Sequence, residues 1–218
     1  MGKRGPKPKW RKFVWSANLA YAVGLFATDG CLYNNGRHLD FTSIDLELLK
    51  HFKKCFGVQV RITKKNSGSG SKKAKRVQFG DVALYQFLLS LGLTPHKSKT
   101  IGVLKIPSKY FFDFLRGAFD GDGSFYSYFD PRWKSSFMFY LSLASASPAF
   151  IAWIRAELQK RLNVAGHVTS DKKGTNLQLK YAKQETLKIV KKLYYSSTAP
   201  CLTRKRKKIF LALAKQGI

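Results

Sequence analysis

Ala22-Val-Gly-Leu-Phe-Ala-Thr-Asp-Gly30 and Leu115-Arg-Gly-Ala-Phe-Asp-Gly-Asp-Gly123 share one pattern: Gly in third place, an aromatic ring in fifth, and a closing Asp-Gly. Asp29 and Asp122 lie 93 residues apart (122 − 29), and the same offset maps Gly24 onto Gly117, Phe26 onto Phe119 and Gly30 onto Gly123. A repeat of that length implies two copies of one unit of about 100 residues.

Each copy closes an apolar run with helical periodicity, Leu19, Ala22, Val23 and Phe26 in the first and Phe111, Phe114, Leu115 and Ala118 in the second. Ser16 and Ser108 stand where hydroxyls cap helix starts, and Gly30 and Gly123 suit left-handed stops. Ala20, Gly24 and Ala27, then Gly117 and Gly121, leave flat stripes on which two backbones can meet. Glycine within a helix costs about 0.5–1 kcal/mol relative to alanine, so the stripe needs such a purpose. Packing the two helices together brings Asp29 and Asp122 side by side at two helix C-termini, where the dipoles add negative potential. Two such carboxylates call for a cation, and hard oxygen donors favour Mg2+, with Mn2+ or Ca2+ as alternatives at the same sites. A calcium loop beginning at Asp120 fails, because its twelfth position is Pro131 where a bidentate Glu is required.

The chain has 218 residues, 44% of them hydrophobic, enough for a folded core. Forty Lys and Arg against 12 Asp and Glu give a net charge of +28, and aromatic content is 14%, so the expected partner is a nucleic acid bound by a folded surface. Three of the 12 acids (Asp29, Asp120, Asp122) fall in the two motifs, which marks them for a purpose. No apolar run approaches the roughly 18 residues that span a bilayer, and the basic, Trp-containing start is unlike a signal peptide. Cys31, Cys55 and Cys201 fit neither a disulfide framework nor a zinc cluster, which is the usage of a reducing, intracellular setting.

Residues 1–16 read as a flexible basic arm, 17–101 as the first half, 102–108 as a linker and 109–218 as the second half. After the first motif, Asn34-Asn-Gly36 marks a hairpin, Asp45 caps a helix to about Phe56, and Val58–Lys65 with Lys75–Phe79 form a second hairpin. Asp81 to Leu91 is a third helix, so one half is αββαββα. The second half repeats it: strands at 125–129 and 136–144, a helix opened by Ser147-Pro148, strands near 165–171 and 175–181, and a helix near 184–195. A closing helix follows the basic run Thr203–Lys208. Arg61, Lys64, Lys65, Lys72, Lys73, Lys75 and Arg76 crowd one hairpin, a two-stranded ribbon slim enough for the DNA major groove. Arg37, Arg132, Lys134, Lys172, Lys173 and Lys180 extend the candidate DNA surface, and the shorter hairpin at Lys172-Lys-Gly174 makes the halves unequal readers.

The doubled motif resembles the signature of the LAGLIDADG homing endonucleases, in the single-chain form with two signatures, over nearly all of the chain after residue 16. The resemblance implies an α+β fold of two pseudo-symmetric αββαββα halves. Their antiparallel four-stranded DNA-binding sheets pack through the two signature helices, with Gly24 and Gly117 at the helix interface. It implies a monomeric, intron- or intein-associated, site-specific endonuclease that cuts both strands of a long, near-palindromic duplex by metal-assisted hydrolysis. Asp29 and Asp122 match the acidic metal-ligand position. The carbonyls of Gly30 and Gly123 and the main chain of Thr28 and Gly121 are further candidate ligands. A basic residue beside the scissile phosphate corresponds to Lys99 and Arg204, with Lys97 and Lys205 as alternates, and the water-positioning place falls at Ser43 and Ser145. One departure is the sixth position, acidic as Asp120 in the second copy but Ala27 in the first. Two rival readings keep the scaffold without this activity, an RNA-binding intron maturase and a non-cleaving DNA-binding regulator.

Binding to duplex DNA should weaken by about 0.9 log units per log unit of salt for each phosphate neutralised. Affinity measured over a salt series that stayed flat would contradict a cationic footprint on phosphates.

Overall fold

The computed structural model describes residues 11–65, 74–133 and 135–217. The hydroxyl of Ser16 accepts from the Leu19 N–H (3.1 Å) and starts α1 (Ala17–Asp29). The chain then runs through β1 (Gly30–Leu32), β2 (His38–Ser43), α2 (Leu46–Phe56), β3 (Thr63–Lys64), β4 (Lys75–Gly80) and α3 (Val82–Ser90). The second half repeats the order with α4 (Phe111–Asp122), β5 (Gly123–Phe129), β6 (Phe137–Ser145), α5 (Pro148–Leu162), β7 (His167–Ser170), β8 (Leu177–Tyr181) and α6 (Lys183–Leu193), and α7 (Thr203–Ala214) follows. Two four-stranded antiparallel sheets result, ordered β1-β2-β4-β3 and β5-β6-β8-β7.

Strand alternation gives each sheet one buried face. Leu39, Phe41 and Val77 point inward in the first half, with Phe41 stacked on Phe52 of α2 at 4.4 Å; Phe137, Phe139, Leu141 and Leu143 point inward in the second. The other faces stay open. α5 has 15 residues against 11 in α2, one helical turn more, as the spacing of the two caps implies.

α1 and α4 make the most extensive contact between any two elements. A β-carbon on Gly24 would strike the Phe114 carbonyl oxygen and the Ala118 nitrogen; one on Gly117 would strike the Tyr21 carbonyl oxygen and the Leu25 nitrogen. The two backbones therefore touch where these glycines cross. Tyr21 Oη donates to Asp120 Oδ2 across the same seam at 2.7 Å. A second tie between halves joins α7 to the start of α2. The Thr203 N–H donates to Glu47 Oε2 at 3.0 Å, and Arg204 forks onto Asp45 at 3.0 and 2.8 Å.

Several expectations are corrected. Gly30 and Gly123 are extended (φ −87° and −80°), not left-handed, because each helix runs straight into a strand. Glycine is needed there for room, since a β-carbon would enter the ring of Phe26 or Phe119. Ser108 does not cap α4; it sits in a 3-10 turn, where its carbonyl and hydroxyl both accept from Arg161 at 3.1 Å. Asp45 stands at the N-cap of α2 without a capping bond, its oxygens held by Arg204. The strand expected from Val58 pairs only at Thr63–Lys64, because Val58, Val60 and Ile62 are spent packing on the core. The basic arm up to residue 10, the tip residues 66–73 with Lys72 and Lys73, and Lys134 lie outside the described residues.

Gly24→Ala or Gly117→Ala should each destabilise the chain by about 1–3 kcal/mol through overpacking, against a gain of at most about 1 kcal/mol in helix propensity. Gly102→Ala, where nothing lies within 4 Å of the added carbon, serves as control in urea melts. Equal midpoints for all three variants would show that the helices do not touch.

Candidate active site and nucleic-acid interface

The crossing of α1 and α4 sets their C-terminal ends against each other. Gly121 makes room for this approach, since a β-carbon there would meet the Thr28 hydroxyl and an Asp29 carboxylate oxygen. Asp29 is half-buried and Asp122 exposed. Burial, then the charge of Asp122, pushes Asp29 up to about 6; burial also raises Asp122, and Lys205 and Lys97 oppose both shifts. The pair is short of positive charge despite its two cationic neighbours.

Those neighbours are Lys97 (5% exposed) and Lys205 (9% exposed). Lys97 Nζ donates to the Gly30 carbonyl just past α1. Lys205 Nζ donates to the carbonyls of Phe119 (2.7 Å), Asp120 (2.8 Å), Gly121 (3.2 Å) and Gly123 at the end of α4. Each ammonium replaces the N–H donors that a helix C-terminus lacks and meets the negative end of its dipole. Burial lowers both lysines, Lys205 to about 8, which leaves Lys205 protonated at neutral pH.

Lys99 and Arg204 bind no carbonyl at either helix end among the described residues. Lys99 is exposed on the 3-10 turn Lys97–Lys99, and Arg204 is engaged by Asp45. Helical phase explains the second case: Lys205 shares its face with buried Ile209, Ala212 and Leu213, whereas Arg204 is turned outward. That phase is readable in the sequence. The carbonyls of Gly30, Gly121 and Gly123 receive lysine ammonium groups and are not the free oxygens of the site; Thr28 lies in the last turn of α1, its hydroxyl donating to the Leu25 carbonyl at 2.9 Å. Ser43 Oγ accepts from the Asp45 N–H and Ser145 Oγ from the Ser147 N–H, both at 3.1 Å, which places them alike in the two halves.

Two cavities open around the end of α4, one of them lined by Asp122. One of about 240 Å³ is lined by Thr28, Lys97, Ser98, Asp122 and Ser145 among others, and one of about 430 Å³ by Gly121, Ser124, Arg204, Lys205 and Lys208 among others. Among the described residues no three His, Cys, Asp or Glu side chains gather anywhere. Two carboxylates fit Mg2+ nonetheless, because that ion is commonly held by one or two carboxylates with water and substrate phosphate oxygens. Asp122 lines the smaller cavity and an Asp29 oxygen lies against Gly121 beside it, so there is room for water and a substrate oxygen to complete such a shell.

Asp120 and Arg116 carry structure that the motif alone did not disclose. Asp120 is buried, accepts from Tyr21 and from the Leu202 N–H (2.7 Å), and is raised to about 6, chiefly by burial. Arg116, fully buried, binds Asp113 (2.8 Å) and the carbonyls of Leu193 (3.0 Å) and Pro200 (2.9 Å). Both residues tie α4 to the segment that delivers Lys205. An arginine and an aspartate at buried helix positions were the available signal.

On the open faces, Lys65 and Arg76 flank buried Asp40 at 3.8 and 3.6 Å. Arg61 and Lys64 are exposed, and Lys75 is half-buried on β4. Arg37 is exposed beside Gly80, and Arg132 pairs with Asp130. Lys172 and Lys173 are exposed at the β7–β8 turn, and Lys180 lies on the open face of β8 opposite Ser142. No helix among the described residues is long and apolar enough to cross a membrane.

Residues 16–99 match the model of the LAGLIDADG-like domain family. None of the curated protein sequences compared with the chain matches it. Among solved structures, full-length DUF199/WhiA from Thermatoga maritima superposes with a TM-score of 0.59 at 13% identity, covering 95% of this chain, which spans 63% of that protein's length. The meganuclease I-SmaMI bound to uncleavable DNA superposes at 0.59 with 14% identity over 91% of both chains, and the LAGLIDADG homing endonuclease I-LtrWI bound to target DNA at 0.58 with 12% identity over 90% and 89%. With a LAGLIDADG-like domain at residues 16–99, a second glycine-crossed helix ending in Asp-Gly, and two matching four-stranded sheets, the chain is a single-chain protein of the two-half LAGLIDADG fold.

Proposed function

We propose that the chain is a site-specific endonuclease of double-stranded DNA that acts as a monomer. The observation that carries this reading is the meeting of Asp29 and Asp122 at two helix ends, each end held by a buried lysine and each running into a sheet with an open face. The similar I-LtrWI and I-SmaMI structures hold DNA, which supports a duplex partner.

Asp29 and Asp122 would hold Mg2+, which when bound supplies Lewis-acid polarisation of the scissile phosphate and activation of the attacking water. Lys97 and Lys205 fix the helix ends, and so the carboxylates, in place. Their charge would also offset negative charge growing on a phosphate bound at the carboxylates. Ser145, in the wall of the cavity next to Asp122, is placed to orient water there, with Ser43 as its counterpart in the first half. One carboxylate from each half gives the site the pseudo-symmetry that cutting two antiparallel strands requires.

A second reading, duplex binding without cleavage, has one observation in its favour. The two ammonium groups already face the carboxylates, so the pair can be partly neutralised by the chain itself. WhiA, which is not named as an endonuclease, also shares the fold across most of this chain.

Asp29→Asn and Asp122→Asn should each lower double-strand cleavage by about 10²–10³-fold or more, the scale of losing an electrostatic partner of the transition state, with duplex affinity retained. Undiminished cutting of a duplex library by both variants would remove the metal assignment, and a wild-type chain that binds but never cuts would establish the second reading. Because the folded pKa of Asp29 lies above its ordinary value of 3.8, the ionised form is disfavoured in the fold. Stability associated with this group is present below about pH 4 and declines as pH rises to about 6. Thermal melts of Asp29→Asn should show a smaller decline over this range than the unmodified chain, the remainder coming from Asp120 and Asp122, whose carboxyls are raised as well. Calorimetric Mg2+ affinity of the unmodified chain should rise through the same range, since the ligand must lose its proton; pH-independent binding would contradict it.

A further inference from the structure

The two sheets share a register but not a chemistry. In the first, Thr42 of β2 faces Arg76 of β4; in the second, Ala144 of β6 faces Gln178 of β8. Both pairs lie one step in from the serines that precede α2 and α5, since Ser43 faces Lys75 and Ser145 faces Leu177. Arg76 and Gln178 are therefore equivalent positions. Both point to the open face, because the neighbouring β4 and β8 residues Val77 and Leu179 are fully buried.

The surroundings differ to match. Arg76 Nη1 lies 3.6 Å from Asp40, a buried carboxylate two positions from Thr42 on the same face. Its Nε is buried and has no hydrogen-bond partner among the described residues. Asp40 attracts one end of the guanidinium without a hydrogen bond, and the side chain, 32% exposed, keeps terminal N–H groups within reach of an outside acceptor. In the second sheet the place of Asp40 belongs to Ser142, whose hydroxyl is paired with that of Ser124 at 2.7 Å. The paired hydroxyls carry no charge, Lys180 lies opposite them on the same face, and Gln178 is exposed with its amide free of any carboxylate partner in the register.

A guanidinium offers donors only and matches the two acceptors of guanine in the major groove; a glutamine amide offers one donor and one acceptor and matches adenine. We propose that Arg76 and Gln178 determine a difference between the two half-sites, Arg76 reading guanine and Gln178 reading adenine at pseudo-symmetric positions. This rests on the duplex-DNA reading of the two open sheets. It assigns the two halves different base preferences at one register, with Asp40 as the positioning residue for Arg76.

The test is selection of bound duplexes from a randomised pool by the full chain, read by sequencing, with the variants Arg76→Gln and Gln178→Arg run in parallel. The expected result is G at one position and A at its symmetry mate, each preferred by roughly 5- to 150-fold over other bases. Arg76→Gln should turn the G position to A and leave the other unchanged, and Gln178→Arg should turn the A position to G. Gln178 is exposed, so its variant keeps the test valid even if the loss of Arg76 beside buried Asp40 unfolds the first half. Enriched duplexes whose base preferences are unmoved by Gln178→Arg would overturn the pair while the duplex reading stands. A pool that yields no enriched duplex would overturn the duplex reading, and this proposal with it.

Discussion

Two helices that cross with their backbones in contact must end close together, and here both end in aspartate. The approach is set by Gly24 and Gly117, each of which lies against the main chain of the opposite helix, and by Gly121, which admits Asp29 beside the end of α4. Close packing therefore brings about an electrostatic problem: two carboxylates at two negative dipole ends, one of them partly withdrawn from water. Much of the surrounding architecture can be understood as a response to it.

The response is cationic and comes from both halves. Lys97 approaches from the turn after α3 and Lys205 from α7, and each is bound to carbonyls at the helix end it serves. The two halves reach this by unlike means, a 3-10 turn in the first and a helix of 12 residues in the second. The second is the more heavily anchored. Arg116 holds the Leu193 and Pro200 carbonyls, Asp120 holds the Leu202 N–H, and Arg204 fastens the start of α7 to Asp45 in the other half. Ala27 in the first copy, where the second has Asp120, agrees with this division, because Lys97 is carried on a short 3-10 turn and not on a helix of the kind that Asp120 anchors.

The asymmetry extends to the open sheets. Equal backbone registers carry Asp40 and Arg76 in one half and Ser142 and Gln178 in the other. Pseudo-symmetry of the fold is thus kept in the helices, where packing demands it, and relaxed on the surface, where side chains meet only solvent or a ligand.

From the sequence alone came the doubling, the seven-element order of each half, the helix-crossing glycines, the pairing of Asp29 with Asp122, and the extra turn of α5. The element order and the extra turn follow from periodicity and cap spacing within each segment, and the doubling, the crossing and the aspartate pair follow from the 93-residue repeat, which sets matched glycines and Asp-Gly ends on two helices. Tertiary structure decided which cations face the carboxylates. Lys97 and Lys205 do so, whereas Lys99 and Arg204 do not, because the direction of a side chain depends on the rotation of its turn or helix against the core. It also decided that Gly30 and Gly123 serve for room beside Phe26 and Phe119 and not for a left-handed turn, and that Ser108 and Asp45 bind arginines instead of capping. Each of those outcomes depends on a neighbour distant in the chain, and contacts of that kind exist only once the two halves have closed on each other.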